Sequence, residues 1–308
     1  MALAGCGADP PAPTASARAT ATAPAPRRAA LPALCGRLRA TVTGTVEAEA
    51  ATELSGLVRS RSQPRVLWTH NDSGDRARVF AVAPGGRLLA DVAVSGAEAV
   101  DWEDIALGPA PGGGDALFVA DIGDNDAKRP EVVVYRVPEP RLQGGGPAVS
   151  APATRLALRY PDGAHDAEAL LVDRRSGALT IVTKSFGGDA GVYVAAAPSA
   201  VATTVLRRRG GLSLGVGEAV TAGDVSADGR TIALRTYGHA LVWQRHAGES
   251  IAAALRGRPC VAQADLAGEG QGEALALTAD GRAFYTVPEG PHPQIRRYAK
   301  IGATALGR

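Results

Sequence analysis

An all-β fold of the β-propeller class is what this sequence predicts, and three observations carry the prediction. The composition joins 45% hydrophobic residues with 4% aromatic, 38 Gly and 21 Pro, which suits many short strands and turns better than long helices. A strand start recurs at Ser55, Glu103, Glu168, Gly223 and Glu273, roughly 50 to 65 residues apart, and each opens a short apolar strand. Behind the later starts one hairpin returns, "DRRSG" at 173–177, "SADGR" at 226–230 and "TADGR" at 278–282. Its Gly supplies the positive φ of a tight turn.

The remaining strands of each unit read off in order. "RVFAVA" and "LLADVAVS" complete the first, "VVVYRVP" and "TRLALRY" the second, and "GVYVAAA" and "ATTVLRR" the third. The fourth offers "ALVWQRH" and a weaker segment through Cys260. The last, with "AFYTV" and "QIRRYAKI", stops one strand short, and "GRLRATVTGTVEA" at 36–48 stands spare ahead of the first start. The expectation is therefore five four-stranded blades closed by this N-terminal strand, with six blades as the alternative because the second interval is long.

The segment ahead of the propeller reads differently. Leu3-Ala4-Gly5-Cys6 resembles the lipobox of bacterial lipoproteins, in which the Cys is acylated, and residues 7–34 form a Pro/Ala/Thr tract with little to bury. The expected organisation is a lipobox remnant and disordered tether over 1–34 and a single propeller over 35–308. The alternative for Cys6 is a chance Cys in an Ala/Gly-rich stretch. Five residues are too few for a signal peptide, whose apolar stretch alone takes about 7 to 15. A mis-assigned start or a trimmed chain is the expectation here.

An exported chain places Cys35 and Cys260 in an oxidising compartment, where a disulfide is expected; two unpaired core thiols are the alternative. Blade closure would bring the two near each other. With 33 basic against 31 acidic residues, and no basic block beyond Arg207-Arg208-Arg209, nucleic acid is excluded as a partner. No run of 18 apolar residues exists, so membrane contact is expected only through a lipid at Cys6, on the extracellular side or after secretion.

Strand order locates the chemistry. In an antiparallel blade, the loop between second and third strands emerges on the same face as the start of the first strand. "THNDSGD" and "ADIGDND" are such loops, so His70, Asn71, Asp72, Asp121, Asp124 and Asn125 share a face with Glu103, Glu168 and Glu273. Residues two positions upstream add Glu53, Asp101 and Asp166, and second-strand ends add Lys184 and Arg235. So many carboxylates in one place call for a cation. Oxygen ligands at variable spacing suit Ca²⁺, and no His or Cys spacing suits zinc. The competing reading pairs the acids with Lys184, Arg235 and channel water. Trp102, between Asp101 and Glu103, is read as core.

The motifs "ELSGL", "HNDSGD", "DWEDIA", "DIGDN" and "DAEALLVD" resemble those of exported bacterial propellers in the phytase-like group, also called "esterase-like activity of phytase", over roughly residues 50 to 285. The resemblance implies calcium held by channel carboxylates. Here Asp72, Asp101, Glu103, Asp121, Asp124 and Glu168 would be the ligands, with Lys184 and Arg235 on an anionic group and a metal-activated water for hydrolysis.

The chain departs from that pattern. Two basic residues are too few for a highly phosphorylated substrate, and no "GxSxG" elbow makes Ser73 a nucleophile. The function expected is a monomeric binding propeller, whose acidic face takes a divalent cation and a small-molecule or cell-envelope ligand. His70, Asn71, Asp72, Asn125, Lys184, Arg235 and Glu273 are its expected ligand contacts. The alternative is a calcium-dependent phosphoesterase or, less favoured, a lactonase in which Glu103, Asn125 and Asp224 hold the ion.

Overall fold

Strand pairing follows the sequence repeat. The computed structural model describes residues 1–2, 5, 32–142, 148–150 and 152–301. Cys6 and nearly all of the Pro/Ala/Thr tract lie outside the described residues, and with them the lipid-attachment and tether expectations. All strands belong to the compact unit Leu31–Arg308, and the other unit, Met1–Ala30, falls almost wholly outside the description.

The strand β1 (Gly36–Thr45) comes first. Then β2 (Leu54–Arg59), β3 (Leu67–Asn71), β4 (Arg78–Val82) and β5 (Leu88–Ala93) pair antiparallel in chain order. The next unit takes β6 (Trp102–Pro109), β7 (Asp115–Asp121) and β8 (Val132–Pro138), passes β9 (Ala148–Val149), which pairs parallel with β5, and ends in β10 (Thr154–Arg159). A third sheet holds β11 (Ala167–Val172), β12 (Leu179–Thr183) and β13 (Asp189–Ala195). Its outer strand is not "ATTVLRR". The chain first lays β14 (Thr204–Val205) parallel on β10, and β15 (Arg207–Ser213) then pairs with β13.

The fourth unit is β16 (Val220–Val225), β17 (Thr231–Thr236) and β18 (Ala240–Gln244), then the short helix α1 (Ile251–Leu255) and β19 (Cys260–Gln263). Its first strand begins three residues earlier than the repeat start at Gly223. The helix is capped by the Ser250 side chain, which accepts from the Ala253 N–H, and buries Ile251, Ala252, Ala254 and Leu255. Last come β20 (Ala274–Leu277), β21 (Ala283–Val287) and β22 (Gln294–Lys300), and β1 adds antiparallel to β22 as the outer strand. β1 also touches β19 in parallel, Gly36 opposite Ala262, and there Cys35 and Cys260 form a disulfide with Cα atoms 5.6 Å apart.

The first strands are buried on both faces, and their near-continuous apolar runs are the sequence signal of that position. Outer strands show mixed exposure, as in β15 and β22. Apolar side chains fill the gaps between consecutive sheets. Trp68, Val79, Trp102 and Val119 lie between the β2 and β6 sheets, and Phe118, Leu156, Leu170 and Tyr193 between the β6 and β11 sheets. Leu171, Leu212, Leu234 and Trp243 continue the series, followed by Leu38, Val242, Phe284 and Tyr298. Leu54, Phe80, Ala276 and Val287 join the last sheet back to the first. The fold is a mostly β propeller, its sheets of about four strands set around a central channel with the first strands innermost.

Candidate metal centre

The inner strands do not enter the channel smoothly. Register breaks between Ser55 and Leu57, Trp102 and Asp104, Ala167 and Ala169, and Val220 and Ala222. In a β-bulge two residues oppose one, and the extra residue is turned out of the ladder. The extra residues are Gly56, Glu103, Glu168 and Thr221. The repeat thus runs through Gly56 and Thr221 rather than Ser55 and Gly223. Glu273, just ahead of β20, accepts the Gly56 N–H on its backbone oxygen at 3.1 Å.

The bulges bring acids together. Oxygen atoms of Asp72, Asp101 and Glu103 lie within 4.8 Å of one another, as do those of Glu103, Glu168 and Glu273, and those of Asp72, Glu273 and Glu289. Glu103 and Glu273 therefore join three overlapping groups of ligand oxygens. Asp72 Oδ1 and Glu168 Oε2 are buried without a hydrogen-bond partner, and Glu168 is 3% exposed. Backbone packs closely against two of these acids, since a Cβ on Gly123 would run into Glu103 and Asp101.

The electrostatics follow from this crowding. Burial pushes the Glu103 carboxyl up to about 10, and the nearby Asp72 and Asp101 push it further in the same direction. Burial likewise raises Asp72 to about 6 and Glu289 to about 8, the latter helped by its hydrogen bond to Glu273. Asp101 is raised by burial and by Asp166. Glu103 and Glu289 hold protons at neutral pH unless a cation takes the protons' place, and the buried partnerless oxygens of Asp72 and Glu168 suit an oxygen-seeking divalent ion.

The structure sorts the sequence-derived residues. Asp72, Asp101, Glu103, Glu168 and Glu273 converge. Glu289, near the start of the second-to-third loop of the last unit, was missed, although its loop position in the repeat matches that of Asp72. Asp121 and Asp124 do not join them. Asp121 pairs with Arg129 at 2.8 Å and accepts the Asp101 N–H, while Asp124 caps its own loop by accepting the N–H groups of Lys128 and Arg129. Asn125 is exposed on that loop.

His70 and Asn71 are placed for structure. His70 is fully buried, edge-on to Trp102 at 5.6 Å, with Nδ1 against the Asn71 carbonyl oxygen, and burial lowers its pKa to about 4. Trp102 packs in the apolar gap between the first two sheets. Asn71 donates to the Ala50 carbonyl and to Asp75, fixing the loop that carries Asp72.

Both basic residues are already engaged. Arg235 is 0% exposed, ion-paired to Glu269 at 2.8 Å and bonded to the Ala274 carbonyl, so it grips no external anion. Lys184 is paired with Glu168. Asp224 lies apart from the acid cluster, accepting the Leu277 and Val225 N–H groups.

No protein-family model matches the chain, and no curated protein matches it. Among solved structures, a candidate 6-phosphogluconolactonase from Bacteroides uniformis ATCC 8492 aligns over 80% of this chain and 68% of its own, with TM-score 0.40 and 14% identity. The Cps50 (Swd1) β-propeller domain of Myceliophteria thermophila aligns over 85% of this chain and 100% of its own, with TM-score 0.45 and 10% identity. At those scores neither carries an argument about this protein's chemistry. The propeller assignment stands on the strand pairing.

Proposed function

We propose that this chain is an exported five-bladed β-propeller, tethered through Cys6 or secreted, that acts as a monomer and binds a divalent cation, calcium, at its acidic channel mouth. Through that ion it takes an uncharged small-molecule or cell-envelope ligand. The five-blade reading is supported by the circular order of the interblade apolar clusters and by β1 completing the last sheet. One observation carries the ion: three overlapping carboxylate groups meet where Asp72 Oδ1 and Glu168 Oε2 are buried and partnerless. Asp72, Glu103, Glu168, Glu273 and Glu289 would hold it. Oxygen ligands from separate strands and loops match calcium's flexible coordination better than the strict octahedron of magnesium.

Calorimetric titration of EDTA-stripped protein with calcium tests this reading, alongside thermal unfolding. At a hundredfold excess over its dissociation constant, an ion bound only by the folded state adds about 2.7 kcal/mol. Glu103→Gln and Glu273→Gln should abolish the gain. No heat and no shift in melting temperature with calcium would sink it.

A metal-dependent hydrolase is the second reading, favoured by one observation. In this reading Glu103, Glu168, Glu273 and Glu289 would hold the ion and leave Asp72, half-buried and raised to about 6, free to serve near neutral pH as a general base. The ion would supply Lewis-acid polarisation of an ester oxygen. Turnover in a screen of phosphoesters and lactones, lost in Asp72→Asn, would decide for it.

A further inference from the structure

At the rim of the acid cluster stands an aromatic pair that the ion does not need. Phe186, in the second-to-third loop of the third unit, is 59% exposed and stacks on Tyr237 of the next unit, rings 6.4 Å apart and inclined by 7°. Tyr237 is tied to the carboxylates, its hydroxyl donating to Glu273 Oε1 at 2.8 Å. The Lys184 ammonium lies 5.8 Å from each ring centre and is paired with Glu168. The platform is thus joined to two of the proposed ion ligands, and the partnerless Oε2 of Glu168 belongs to the same group.

Charge narrows what can rest there. Lys184 already occupies the position over both rings that a ligand cation would seek. An anion would meet Asp72, Glu103, Glu273 and Glu289, whose combined charge exceeds that of one divalent ion, while Arg235 and Lys184 are spent on Glu269 and Glu168. What fits is a neutral molecule with an apolar ring face for Phe186 and adjacent hydroxyl oxygens for the ion. A pyranose ring has both.

We infer that the channel mouth binds a neutral pyranoside, its C–H face on Phe186 and two of its hydroxyls on the bound calcium. This rests on the calcium reading above, and the test separates the two. Full-length protein is titrated first with calcium alone. Calcium-loaded protein is then titrated with methyl α-D-glucopyranoside, methyl α-D-mannopyranoside, methyl β-D-galactopyranoside and N-acetylglucosamine, with glucose 6-phosphate as the anionic comparator, and saturation-transfer NMR identifies the sugar protons in contact.

The expected result is binding of at least one neutral sugar, lost in EDTA and weakened at least about fivefold by Phe186→Ala. Phe186→Trp should preserve it, calcium affinity should be unchanged in both variants, and saturation should concentrate on one ring face. Calcium binding with no response to any neutral sugar would overturn the inference while leaving the ion site standing. So would sugar binding indifferent to Phe186→Ala or to EDTA, or a preference for glucose 6-phosphate. Absence of calcium binding would overturn both.

Discussion

The carboxylate of Asp104 on β6 accepts a hydrogen bond from the backbone N–H of Gly223 on β16, 3.3 Å away and in the sheet beyond its neighbour. The same oxygen accepts the Leu170 N–H of the intervening β11 at 2.8 Å, and the other accepts Ile105 N–H at 2.8 Å. One buried side chain therefore binds three inner strands. Asp224 repeats the device, accepting the Leu277 N–H of β20 at 2.7 Å. Asp104→Ala leaves buried N–H groups without acceptors and should cost at least about 2 kcal/mol. Urea unfolding of variant and parent, compared at equal m-value, measures it.

Lys184→Met should destabilise the calcium-free protein by about 3 kcal/mol, because Glu168 is left buried opposite an apolar side chain. Calcium should return part of that loss by replacing the ammonium as the partner of Glu168. Unfolding curves in EDTA and in calcium, for parent and variant, give the four values required. An equal loss in both conditions would place Glu168 outside the ion site.

Stability in EDTA should fall as pH rises. Glu103, Asp72 and Glu289 have folded-state pKa values of about 10, 6 and 8 against ordinary values of 4.5, 3.8 and 4.5, so between those limits the folded state binds more protons than the unfolded one. Excess protons in the folded state mean stability lost with rising pH, which a comparison of melting temperatures at about pH 5 and about pH 8 will show. Saturating calcium should flatten or reverse the slope, since it replaces those protons.

Gly123→Ala should block calcium while sparing the fold. Its Cβ would enter the space of Glu103 and Asp101, and Gly123 has no positive φ that would add backbone strain. Calorimetry and circular dichroism on one sample separate loss of the ion from loss of structure.

Cys35→Ser with Cys260→Ser should lower stability by about 3 to 5 kcal/mol, as expected for a cross-link spanning a long loop, here of 225 residues. Calcium affinity should not change, because the bridge lies on outer strands. Denaturant unfolding of parent and double variant, each with a calcium titration, checks both statements.

The propeller class was legible because short, mainly apolar strands recur at a repeat spacing and the later hairpins carry Gly at fixed offsets, signals that survive without any tertiary information. The acidic face was legible for the same reason, since loop order alone assigns Asp72, Glu103, Glu168 and Glu273 to one side. Which acids converge was not, because bulges decide it. A one-residue register break turns Glu103 and Glu168 into the channel, while Asp121, nearby in sequence, is captured by Arg129. Arg235 misled for a related reason. Its ionic partner Glu269 lies in the connection before β20, where no repeat pattern pointed. The third unit's outer strand escaped because Thr204 and Val205 satisfy strand propensity yet serve the neighbouring sheet.

β1 fills the last sheet from the opposite end of the domain. It therefore leaves the ribosome long before β19 and β22, the strands it must join. Until they arrive its hydrogen-bonding edges are open, and the gap between the first and last sheets has nothing to close it. Ring completion is then a late event dominated by contacts distant in sequence, which are slow to form. A chain exported unfolded would meet this step outside the cell, where Cys35 can be oxidised as soon as β1 docks. For such a protein the order of synthesis and the order of assembly run in opposite directions, and an unattended β1 is the segment through which two copies would most easily exchange strands.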